Sequence, residues 1–585
     1  MSHHNDGTKR KLTTMSDNTK GIAGQNALYT RRDILRTGAA TFGAGLFAGI
    51  SSPLYSKDVA GKPLTPFNVP RFVADLPVAP VKMPLSVGPA PFTPGDVYHG
   101  IAPEFFDRTI ANEPGTKYYE SSDPTLWYKT SIRHSVAEIV PGIKTPVLGF
   151  DGLYPGPTYK SRVGQPVVVR YQNDMEEETS VHLHGGHNPS HSDGFPSFFV
   201  FPGQARDYYY ANTVSMINGS PNFSESPSTL WYHSHVLDLT DYQVVMGLAG
   251  FHLIYDDLEM GLINSGVLPN DPYDIPIAIQ DRRFNPDGTI WFDPLDHDGY
   301  IGDIYVLNGK AFPKMTVQRK KYRFRFLNGC AARFIELRLS NGQPFIGLGT
   351  DTCLYPHAIS RNTLLGSPAT RADVVIDFTD APNELYLENI LVQDSGRKPA
   401  GKLNDRVTQV PGVPIMKFEV QGARQPSNAT VHVGTALRPF IPIKASEIVA
   451  TRRFLFNRSQ GAWQMNGLFY DPDRADATPT LGQAERWIFE NSAGGWWHPV
   501  HTHSSLQQIQ TIDGATPPPE YRYNIDTSIL GGGTTVEAFV RFSIFKGPFA
   551  FHCHNNAHED MRMMMNVDPR VTPTKPGGRI QQVFP

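Results

Sequence analysis

Four histidine pairs with a single residue between them, His182/His184, His233/His235, His501/His503 and His552/His554, constrain this chain more than anything else in it. In an extended strand side chains alternate faces, so the histidines of a pair share a side and stand about twice the ~3.3 Å rise apart. That spacing lets one pair serve two neighbouring metal ions. A lone H-x-H is more often a packed or solvated pair than a ligand set, but four of them, one with a cysteine at its centre, define a scheme. Around Cys553 the alternation acts again: His552 and His554 point one way and the thiol the other. A thiolate, His558 and Met563 further along, and His498 as second imidazole suit a blue-copper site of two His, one Cys and a weak axial Met. Eight imidazoles are left for a separate cluster, so ten of the 20 histidines enter one ligand scheme.

The 585 residues exceed one ordinary domain, and about 150 residues per domain predicts three or four. A net charge of −3, with no Lys/Arg block in the body of the chain, gives nucleic-acid binding no support and points to small-molecule partners. The 52 Gly and 50 Pro suit many short strands joined by turns. Besides Cys553 there are only Cys330 and Cys353, whose spacing leaves a disulfide between them open.

Residues 1–60 read as a targeting segment. Arg31-Arg32-Asp33-Ile34-Leu35 precedes a mildly apolar Gly/Ala-rich run from Thr37 to Ile50, which resembles a twin-arginine signal and predicts export by that machinery to the periplasm or the exterior. No clean small-x-small cleavage site stands between Ala48 and Ala60. Elsewhere no uninterrupted apolar stretch approaches twenty residues, so a spanning helix is not expected.

A β-rich strand ending in Asn recurs three times, as VVVRYQN (Val167–Asn173), YRFRFLN (Tyr322–Asn328) and RWIFEN (Arg486–Asn491). The strand that follows carries His182 and His184 in the first copy and His501 and His503 in the third. In the second it reads Phe334-Ile335-Glu336-Leu337-Arg338-Leu339, without ligands. Alternation and turn signals predict an all-β chain of three Greek-key sandwiches, over 61–260, 261–425 and 426–585. A cluster fed by the first and third must lie between them, which makes the second a spacer.

VHLHGG with Ser192-Asp193-Gly194, TLWYHSH with GLAGFHLI, YRFRFLNG, NSAGGWWHPVHTH and HCHNNAHEDMRMM are together highly specific. From about Lys117 to Pro569 the chain resembles the three-domain multicopper oxidases, in their spore-coat laccase and bilirubin oxidase branch. The resemblance implies cupredoxin-like domains and four copper ions. By position these are a type 1 copper on His498, Cys553, His558 and Met563, a type 2 copper on His182 and His501, and a type 3 pair on His184, His233, His235, His503, His552 and His554. It implies that a small-molecule reducing substrate (a phenol, aromatic amine or bilin-type pigment) gives up one electron at a time through the edge of His558, left near the surface, while dioxygen is reduced to water. Glu559 and Asp193 match acids that supply protons, and Trp496 matches a tryptophan beside the substrate. Trp497 is read as packing. Ser234 and Thr502 depart from the branch, which often has an acid and an aliphatic residue there.

Other readings stay open on the residues alone. A manganese, iron or cuprous-ion oxidase would need carboxylates or methionines around His558; Met561, Met564 and Met565 read as packing. A copper-binding or structural scaffold without activity would have lost cluster ligands, and all twelve are present. A nitrite reductase fits poorly with the extra H-x-H pairs and a third domain. His187 and His191, in the loop after His184, read as solvated.

Overall fold

The computed structural model describes residues 64–89, 118–492, 494–571 and 575–580. The twin-arginine-like motif and the 1–60 boundary lie outside them. Each copy of the Asn-ended strand builds the same local unit. Val167–Asn173 runs parallel to Leu126–Ala137, Lys321–Asn328 parallel to Asp274–Arg282, and Ala484–Asn491 parallel to Ile448–Ser459, in sheets otherwise mostly antiparallel. The terminal asparagine explains where each strand stops. Its amide donates to two carbonyls that the chain leaves exposed in turning: Asn173 to Glu177 and Val200, Asn328 to Arg333 and Gly366, Asn491 to Trp496 and Gly531. In two copies its Oδ1 also accepts the N–H two residues on, an Asx turn.

Three two-sheet sandwiches result. The first pairs a four-stranded sheet on Leu126–Ala137 with a four-stranded sheet on Thr229–Ser234; the second sets seven strands on five; the third sets five on four. Alternation fills their interiors with aromatic rings. Tyr128, Tyr159, Tyr171, Tyr208 and Tyr232 fill the first, Phe324, Phe326, Phe378 and Phe418 the second, and Phe454, Trp487, Phe489 and Phe551 the third. On the opposite face of Lys321–Asn328 the alternation buries two guanidiniums. Arg323 and Arg325 share Glu259 of the linking helix Asp257–Asn264, at 2.8 and 3.0 Å, and Arg325 also holds Asp274 at 2.7 Å. A buried charge persists only when paired, so this cluster fixes the helix against the second sandwich.

The described N-terminal stretch divides between two sandwiches. Phe72 N–H donates to the Phe312 carbonyl and Leu76 N–H to that of Lys314, both in the second, before Lys82 reaches Thr158 in the first. Residues 64–89, expected with the first unit, thus pair with both sandwiches. Cys330 and Cys353 are free, buried thiols. Among the described residues no helix is long and apolar enough to cross a membrane.

Candidate metal centre

Val181–His184 pairs antiparallel with Thr229–Ser234 so that His182 faces His233, and His498–Thr502 pairs with Phe549–Cys553 so that His501 faces His552. His235, His503 and His554 extend these ladders by one more step, their N–H groups donating to the carbonyls of Ser180, Ala550 and Pro499. Eight imidazoles from the outer two sandwiches converge as a result. His182 stacks on His503 and His184 on His501, each at 3.7 Å between ring centroids, while His554 lies edge-on to His184 and His233. Facing nitrogens approach closely: His501 Nε2 to His182 Nε2 3.4 Å, His235 Nε2 to His552 Nε2 3.1 Å, His503 Nε2 to His552 Nε2 3.2 Å.

The outward nitrogens are held by the protein. His182 Nδ1 donates to the Asp193 carbonyl (2.5 Å), His233 Nδ1 to that of Ser234, His501 Nδ1 to that of Asp526, and His503 Nδ1 to Asp193 Oδ2 (2.6 Å). Hydrogen bonds of this kind set the tautomer and aim the other nitrogen at a metal. His184 is turned the other way, Nε2 on Asp526 Oδ1 at 3.0 Å, which directs Nδ1 inward. Burial pulls His182, His184, His501, His503 and His554 well below the ordinary imidazole range, His233 to about 3 and His235 to about 4, so these seven are neutral, the form that binds metal. Converging neutral nitrogens that no protein donor satisfies fit a cluster of soft or borderline metal ions.

The thiol faces elsewhere. Cys553 Sγ lies 3.3 Å from His498 Nδ1 and 3.6 Å from His558 Nδ1, which are 3.3 Å apart. Cys553 N–H donates to the Met563 carbonyl, and Met563 is fully buried in the same core as Cys553. Burial pushes the Cys553 thiol far up, so a bound cation is what would make it a thiolate.

Two acids flank the eight-histidine cluster in opposite charge states. Glu559 contacts His552 Nδ1 at 3.1 Å and His235 Nε2 at 3.6 Å; burial works against its charge, but the facing imidazoles outweigh it and hold the carboxyl down at about 2. Asp193, beside His503, is raised well above the carboxylate range by burial alone. Its loop is closed by Gly194, whose φ is +81° and where an added Cβ would meet the Val181 carbonyl and lie 2.6 Å from His182 Cα, so only glycine fits.

Several expectations change. His558 is fully buried, not edge-exposed, because the ring of Trp463 lies over it, tilted by 37° with 3.9 Å between centroids. His187 and His191 are buried and neutral, not solvated: third-sandwich chain covers their loop, with Ser190 Oγ donating to the Pro548 carbonyl. The middle sandwich is more than a spacer. Its Arg371 binds Asp526 through both guanidinium nitrogens, and Asp526 in turn holds His184 of the first sandwich, so all three meet at one buried ion pair. Asp351, also from the middle sandwich, accepts the N–H groups of Asp526 and Thr527 and is pushed up to about 7 by burial and the Asp526 carboxylate. Trp463, Asp526, Arg371 and Asp351 carry no motif, and only the folded chain brings them to the metal centre. Trp497 packs edge-on to Phe334, Trp496 is half-buried, Ser234 donates to Gln243, and Thr502 accepts from Gln507.

Family profiles described as multicopper oxidase match residues 131–259 and 446–572, the two segments that carry the twelve converging side chains. The chain is a multicopper oxidase. Over 467 residues the oxidase is 29% identical to bilirubin oxidase from Albifimbria verrucaria, covering 77% of each chain. It is 28% identical to laccase from Bacillus subtilis (strain 168), covering 72% of this chain and 90% of that one. A solved laccase-like multi-copper oxidase from Ochrobactrum sp. has the same fold, with a TM-score of 0.67 at 24% identity, over 84% of this chain and 100% of the other. The oxidase is thus a copper-dependent oxidoreductase of the laccase and bilirubin oxidase branch, acting on small molecules with dioxygen as acceptor.

Proposed function

We propose that the oxidase holds four coppers and couples one-electron oxidation of phenols, aromatic amines or bilin-type pigments to reduction of dioxygen to two waters. His498, Cys553, His558 and Met563 hold a type 1 copper; His182 and His501 a type 2 copper; His184, His233, His235, His503, His552 and His554 a type 3 pair. One observation carries the reading: in Phe549–Cys553 and the residue after it, the thiol faces one centre while His552 and His554 face the other. Bound copper supplies the one-electron redox chemistry, and the chain supplies the rest. Cys553 links the two centres by covalent bonds alone. Asp193, kept protonated by burial, holds a proton beside the cluster where oxygen reduction consumes protons, and Glu559, an ionised carboxylate against His552 and His235, is placed to accept protons and pass them on. Arg31-Arg32 ahead of its apolar run supports export through the twin-arginine route, to the periplasm or exterior.

Copper stoichiometry with the visible spectrum, followed by turnover on phenols, bilirubin and metal ions, tests the reading. One copper per chain, or no blue absorption, would end it. In Glu559→Gln, donors should bleach the blue band at the parental rate while reoxidation by dioxygen slows. Unaltered reoxidation at full copper content would remove Glu559 from proton supply.

A further inference from the structure

The burial of His558 raises the question of how a donor outside the protein reaches it. The hairpin of Ile448–Ser459 and Ala462–Met465 closes over this side of the blue-copper pocket. Its two-residue turn, Gln460-Gly461, has positive φ at both positions (52° and 79°), the type I′ geometry that matches strand twist and fixes which faces the hairpin presents. Phe456 stacks on His498 from one strand, and Trp463 lies on His558 from the other, its Nε1 donating to the His297 carbonyl at 3.1 Å. Asn555, donating to the Asp298 and Gly396 carbonyls, closes the remaining side.

Outside Trp463 comes Trp496, edge-on at 5.1 Å and half-buried on a loop with Gly494 and Gly495. Two guanidiniums face these rings: Arg397 lies 5.0 Å from Trp496, and Arg458 lies 5.4 Å from Trp496 and 5.3 Å from Trp463. Both arginines are exposed. Arg397 has Asp298 as partner, whereas Arg458 makes no ion pair among the described residues. A cation over an indole is attracted to the ring and makes an electron harder to remove from it. The indoles therefore suit a bridge that electrons cross better than a station where a radical rests.

We propose that aromatic donors bearing an anionic group dock on Trp496 between Arg397 and Arg458, and that Trp463 is the bridge that carries their electrons to His558. This rests on the reading of His498, Cys553 and His558 as ligands of the blue copper. In each transfer the donor loses one electron and the type 1 site gains it, while the phenolic proton leaves to solvent. Neither tryptophan is consumed. Trp463 acts through His558 and is a positioning residue; Trp496, in contact with the donor, is the docking surface.

The test uses copper-loaded enzyme, with a methoxylated phenol carboxylate and the matching neutral phenol as donors. Blue absorption, type 1 potential and copper content are measured beside the anaerobic rate of bleaching. Trp463→Leu, with Trp463→Met as a second non-aromatic replacement of similar bulk, should keep the spectrum and potential and slow bleaching by about tenfold or more. Trp463→Phe should restore most of the rate. Arg397→Gln with Arg458→Gln should raise KM for the carboxylate by about three- to tenfold relative to KM for the neutral phenol, the span of one or two partly exposed ion pairs. Bleaching at or above the parental rate in both non-aromatic variants would make Trp463 a cover and overturn the bridge. Equal effects of the arginine changes on both donors would overturn the charged docking site. A parent enzyme without blue absorption would instead overturn the ligand reading beneath it.

Discussion

Arg371→Leu tests how the three sandwiches are fastened around the metal centre. Arg371 and Asp526 are fully buried, and the guanidinium also donates to the carbonyls of Thr229 and Ala369. Leucine leaves Asp526 with His184 and Thr527 but no cation, and removing one partner of a buried pair costs about 3–5 kcal/mol. Urea midpoints followed by tryptophan fluorescence, with copper in constant excess for both proteins, give the difference directly. A deficit below about 1 kcal/mol at pH 7 would show that Arg371 is not the compensating charge.

Cys553→Ser should lose the blue band and all donor oxidation while the imidazole cluster still binds copper; absorption retained in that variant would refute the thiolate assignment. Gly194→Ala should strip copper selectively from the His182 side, because a Cβ there collides with the strand that carries His182, and the blue band should persist; full copper occupancy would refute it. His252 is buried on Ser161 Oγ and lowered to about 3, so the unfolded chain gains a proton below pH 6.5 that the folded chain refuses. Its stability contribution is lost as pH falls, and His252→Gln should flatten the slope between pH 6 and 4 by about 1.4 kcal/mol per unit, read from urea midpoints; equal slopes would exclude it.

The eight paired histidines and Cys553 were legible because strand alternation is a local rule: His552, Cys553 and His554 reveal their two directions without reference to the fold. The triplicated Asn-ended strand was legible as a repeated local pattern, and each asparagine does serve one carbonyl of the turn that follows it, Glu177, Arg333 or Trp496; its second partner, Val200, Gly366 or Gly531, comes from a distant segment that the pattern does not reveal. Asp526, Arg371 and Asp351 could not be found that way, because they sit 155 and 175 residues apart and meet only through sandwich packing. His558 was expected at the surface because its neighbours in sequence do not cover it. Its cover comes from Trp463, 95 positions earlier, and the Gln-Gly turn that aims this indole is only a weak sign of a hairpin. His187 and His191 misled for a related reason: a loop is solvated by default until another part of the chain lies over it.

The three-way junction at Arg371 also bears on modular rebuilding. The middle sandwich contributes no histidine to the converging set, which invites its removal to make a smaller catalyst or its exchange for an unrelated insert. Either operation would strand an unneutralised carboxylate beside His184. A minimised version must therefore supply a replacement cation from a new direction, or redesign position 526 together with the turn around it.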